Sequence, residues 1–128
     1  MPRSGKSPSQ LATEAGELVR SLNHTTLRSG AYGYPGDVDA TIQALAALAG
    51  RLPQAISQGG TALTAMAVAG TVRLDAMAGG TSAAGYLADT ASAVSGAVRA
   101  ADELERALRE LGSLTSHLTW SEPQEPGA

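Results

Sequence analysis

The chain has 128 residues, a length for one domain that buries about two thirds of its unfolded surface. It contains no cysteine, which excludes a disulfide framework or a thiolate metal site, and no phenylalanine. Its net charge is −3, with positive charge scattered over eight arginines and Lys6, so no basic stripe exists to neutralise phosphates and nucleic acid is a poor partner.

Residues 1–8 are rich in Ser, Pro and Gly and read as a disordered tail; no apolar run follows Met1 to make a signal peptide. Ser9 is the expected cap of a first helix reaching about Leu27, with Leu11, Ala15, Leu18 and Leu22 on one face. The segment from Ser29 to Asp37 holds three glycines and Pro35 and is the main loop, with Asp37 expected to cap a second helix. That helix carries Val38, Ile42, Leu45, Ala49, Leu52 and Ile56. Pro53 should kink or divide it near Arg51 and Leu52.

Gly-Gly-Thr occurs twice, at 59–61 and 79–81, and each copy is expected to end one helix and cap the next. Between them a third helix would present Leu63, Ala67, Gly70, Leu74 and Met77, with Gly70 at a close helix contact. The last helix is expected from Thr81 or Ser82 to about Thr119, near 38 residues, unless Gly112 breaks it. Its pattern is a near-heptad, in which Leu87, Val94, Ala101, Leu108 and Thr115 alternate with Thr90, Ala97, Leu104, Leu111 and Leu118. Residues 121–128, with Pro123 and Pro126, read as a second disordered tail.

The densest charge lies between Arg99 and Glu110, where Arg99–Glu103, Asp102–Arg106, Glu105–Arg109 and Arg106–Glu110 have i,i+4 spacing. Such a run reads first as the solvated face of a helix, and otherwise as a flank that selects a partner. His24, followed by Arg28 and Gly30, is similar in residue types to the histidine phosphotransfer domains, which are four-helix bundles with an exposed histidine, then a basic residue and a glycine. That resemblance implies phosphotransfer at His24, although the spacing here is longer and Pro35 soon closes the segment. His117 and His24 both suit helix C-termini. The Trp-x-Gly tripeptide of the small secreted helical-hairpin proteins is missing.

No nucleophile–base arrangement, phosphate-binding glycine loop or metal-ligand spacing is present, so no catalytic residue, cofactor or metal is expected. The expected fold is all-α, an antiparallel four-helix bundle over residues 9–120 with a long, heptad-patterned C-terminal helix. The expected function is a non-catalytic scaffold or adaptor that self-associates, as a homo-oligomer, or binds another helical protein. Its partner-binding residues are Leu104, Leu108, Leu111, Leu118 and Trp120, with Tyr32 and Tyr34 from the main loop. The alternatives are a regulatory bundle acting through His24 and an accessory protein of DNA transfer or packaging. Arginine and alanine usage points to a GC-rich genome of the actinobacterial kind. The most apolar window, Ala62 to Ala78, is too polar to span a bilayer, so the default compartment is the cytoplasm, with signal-less secretion as the other route.

Overall fold

The computed structural model describes residues 5–75 and 82–123. Among these the regular structure is entirely helical: α1 (Pro8–Thr25), α2 (Pro35–Ala49), α3 (Leu52–Val68) and α4 (Ala83–Thr115). The fold class is therefore all-α, but the expected four-helix bundle is not what the helices form. α2, α3 and α4 pack on one another, whereas no Cα of α1 comes within 8 Å of another helix.

The helix starts follow local chemistry. Pro8 has no N–H to leave unpaired, so it takes the first helical position and the cap moves to Ser7 rather than Ser9. Ser7 Oγ accepts from the Gln10 amide at 3.2 Å, and Gln10 Oε1 accepts from the Ser7 amide at 2.7 Å. Pro35 does the same for α2, making Tyr34 the cap. Asp37 then sits inside the first turn, not at the cap, and its Oδ2 accepts from the Gly33 and Tyr34 amides, both at 3.2 Å. Pro53 divides the second segment as its chemistry requires: α2 stops at Ala49 and α3 starts at Leu52.

The first Gly-Gly-Thr is a correction. Gly59, Gly60 and Thr61 lie inside α3. Glycine in a helix costs about 1 kcal/mol relative to alanine, which does not by itself end one. Gly60 also permits a close approach, since a Cβ there would lie 2.9 Å from Val94 Cγ1 on α4.

The left-handed glycines are instead Gly30 (φ 85) and Gly70 (φ 75). Gly70 ends α3: its amide donates to the Ala67 carbonyl at 3.1 Å, and the Thr71 amide donates to the Met66 carbonyl at 3.0 Å. That pair of bonds is a Schellman closure. The expected third helix through Leu74 is therefore absent, and Gly70 has open space around it rather than a gripping neighbour. Met77 and the second Gly-Gly-Thr lie outside the described residues, as do residues 1–4 and 124–128.

Ser82 caps α4, its Oγ accepting from the Gly85 amide at 3.0 Å. The helix runs 33 residues, about 50 Å, through Gly112 without a break and stops at Thr115, short of Thr119. α2 and α3 together run antiparallel to it. Asp39 meets Thr115, Gln43 meets Gly112, Gly50 lies against Glu105 and Gly60 against Val94, so numbers rise along one arm as they fall along the other. The architecture is a helical hairpin with α1 as a loosely held arm. Two arms share one seam, so the core is thin. The buried residues among those described are Ala46, Ala49, Ala101, Gly112 and Thr115, and no large side chain is fully enclosed.

Candidate partner-binding surface

α4 carries two mainly apolar rows with heptad spacing, and only one of them, interrupted by Glu105, faces the other arm. The inner row, Val94, Val98, Ala101, Glu105, Leu108, Gly112 and Thr115, is buried or half-buried at every position. Gly112 lets α4 lie close to α2, where Ala46 and Ala49 are buried, since a Cβ at Gly112 would stand 2.6 Å from Gln43 Nε2. The outer row is Ala93, Ala97, Ala100, Leu104, Ala107, Leu111 and Leu114, extended by Leu118 in the turn after the helix. Every one of these is exposed and none is charged.

The expected binding face thus divides. Leu104, Leu111 and Leu118 are 49%, 41% and 60% exposed. Leu108 lies instead on the inner row with Ala101 and Thr115 and is half-buried. Both rows repeat every seven residues, so hydrophobicity alone does not rank them. Close backbone approach separates them, since the inner row sets Gly112 against Gln43 and Glu105 against Gly50.

The structure brings Tyr32, Tyr34 and Trp120 to the same end of the hairpin as the end of the outer row. Tyr34 and Trp120 stack edge to face, with ring centroids 5.8 Å apart. Tyr32, Tyr34, Pro35, Val38, Thr115 and Leu118 line a shallow hollow beside them. All three aromatic rings keep more than a third of their surface exposed, so they cover the end of the seam and still present a face to a partner.

Beneath that end lies a polar lock that sequence reasoning missed. Thr115 Oγ1 donates to Asp39 Oδ1 at 2.6 Å. Gln43 Nε2 donates to the same oxygen and to the Gly112 carbonyl, both at 3.2 Å. The hydroxyl of Thr115, then the amide of Gln43, hold the Asp39 carboxyl below its ordinary range, against a smaller opposing push from desolvation. The one signal in the sequence was a threonine at a core heptad position.

Of the four spaced charge pairs, Glu105–Arg109 closes among the described residues, at 3.0 Å. Glu105 turns inward over Gly50, where no Cβ obstructs it. Glu103 and Glu110 stay exposed and border the outer row on the side away from α2. His24 is exposed near the end of α1, beside a shallow depression with Leu27 and Arg28, and His117 is exposed beyond α4. No group of three or more His, Cys, Asp or Glu is placed to hold a metal among the described residues. No described helix is long and apolar enough to cross a membrane.

α1 completes the picture of unfinished packing. Its row leaves Leu11 55% and Leu18 73% exposed, with Leu18, Val19 and Leu22 opening onto a groove against Ala44, Leu45 and Leu48 of α2. No family model matches the chain, and no curated protein or solved structure is similar to it.

Proposed function

We propose that this protein is a non-catalytic helical association module, an adaptor or scaffold whose hairpin is completed by a further helix laid on the outer row of α4. The observation that supports the reading is that row, apolar at eight heptad-spaced positions from Ala93 to Leu118 and exposed at all of them. Apolar patches of more than a few hundred Å² on a soluble chain mark interaction sites. The aromatic end at Tyr34 and Trp120 extends the row with the residue types that anchor interfaces.

The test compares the natural chain with Leu104→Glu/Leu111→Glu as baits in an extract of the native host, with sedimentation of each alone. The expected result is that the natural chain retains a helical protein, itself or another, while the variant keeps its circular dichroism and retains none. A natural chain that sediments as a monomer at high concentration and retains nothing overturns the reading.

A further inference from the structure

We infer that the outer row of α4 is built for a second copy of this chain, packed antiparallel in a single register. The inference rests on the association reading above and names its partner. In an antiparallel pair of heptad helices, each layer sets one residue of one copy against a residue from the other row position of its mate. When the row is laid against itself in reverse, Ala97 faces Leu114 of the second copy, Ala100 faces Leu111, and Leu104 faces Ala107. Every layer then pairs one alanine with one leucine. Volume is constant along the seam, which is the condition for close packing without voids or clashes. A parallel pairing has no such match, because it stacks Ala93, Ala97, Ala100 and Ala107 each on themselves and Leu104, Leu111 and Leu114 likewise.

The same operation closes the bundle. The inner row borders the outer row on one side, so a two-fold axis through the seam brings both α2–α3 arms to that side. Four helices then surround a common interior, in the isologous arrangement usual for dimers. From Ala93 to Leu114 the row spans 22 residues, about 33 Å, and a face two helices wide is about 20 Å across. That is about 660 Å² from each copy, or about 1,300 Å² in all, within the range of specific interfaces. The acidic edge supplies a check on orientation. The antiparallel register sets Glu103 across from Glu110 of the second copy, where like charges oppose association, whereas a parallel pair sets Glu103 beside Leu108.

The chain lacks cysteine, so introduced thiols report the register directly. Ala100→Cys and Leu111→Cys each alone should remain uncross-linked under mild oxidation, and their mixture should give a covalent dimer containing one of each. Glu103→Lys should tighten self-association by about 3- to 10-fold from two new opposite-charge pairs. Cross-linking of Ala100→Cys to itself overturns the antiparallel register. A chain that sediments as a monomer at high concentration overturns the inference, and if that chain still retains a different helical protein from its host, the association reading survives alone.

Discussion

The two halves of the hairpin are built to opposite standards. The half made by α2 and the C-terminal part of α4 holds four of the five buried residues among those described, and it is fastened by the hydrogen bonds joining Asp39, Gln43, Gly112 and Thr115. The half made by α3 and the N-terminal part of α4 has none of these bonds and, of the buried residues, only Ala101 at its junction with α2. α3 carries no charged residue in seventeen, and its Leu63, Met66 and Val68 are 40%, 49% and 85% exposed, as Tyr86 opposite is 46% exposed. Both halves share one continuous helix, so the difference comes from what the other arm brings. Polar partners in register give a closed contact, whereas α3 brings no such partner to Val94 and leaves an open groove lined by Gly60, Leu63, Leu87 and Val94.

The comparison can be broken at its strongest point first. Ala101→Leu should cost about 1–3 kcal/mol by overpacking the seam, while Ala97→Leu, one turn away on the outer row, should change stability by about 0.5 kcal/mol or less. Urea unfolding at low protein concentration measures both, and equal costs would mean that the two rows are equally enclosed. In the open half, Gly70→Ala should cost about 1–2 kcal/mol because its backbone is left-handed, although nothing crowds the site.

Neighbouring glycines sharpen the picture further. Gly59→Ala, with free space around it, should stabilise α3 by about 0.5–1 kcal/mol. Gly60→Ala should lose that gain and about 1 kcal/mol more against Val94, and Val94→Ala in the same chain should recover part of the loss. The smallest effect is on titration. Asp39 has a depressed folded pKa, so its contribution to stability is complete above the ordinary carboxylate value and is lost as pH falls through the depressed one. Thr115→Val should move the Asp39 carboxyl resonance toward ordinary titration and narrow that acid-side difference in stability.

Much of the helical punctuation was legible where a residue has one conformational answer. Pro53 had to interrupt the second segment, Ser82 had a cap's chemistry, and the loop from Ser29 to Tyr34 had the composition of a turn. Glycine has several answers, and only tertiary context chooses among them. Gly60 stays helical inside α3 and admits Val94, whereas Gly70 is left-handed and ends the helix, the reverse of the pattern expected from the sequence. The candidate surface was half legible for a related reason. The heptad period on α4 was plain, but two rows shared it, and the choice between them depended on Ala46 and Ala49 across the seam. Asp39 and Gln43 lie 76 and 69 residues from their partners, beyond any local pattern.

The contact between Tyr34 and Trp120 has an optical consequence. Trp120 is the one indole in the chain, and a tyrosine ring 5.8 Å away lies well inside the range of excitation transfer between such fluorophores. Light absorbed by Tyr34 is therefore passed to Trp120 efficiently while the loop before α2 and the segment after α4 remain together, and less so as they part. The molecule thus carries its own gauge of whether that end of the hairpin is shut, readable without a label.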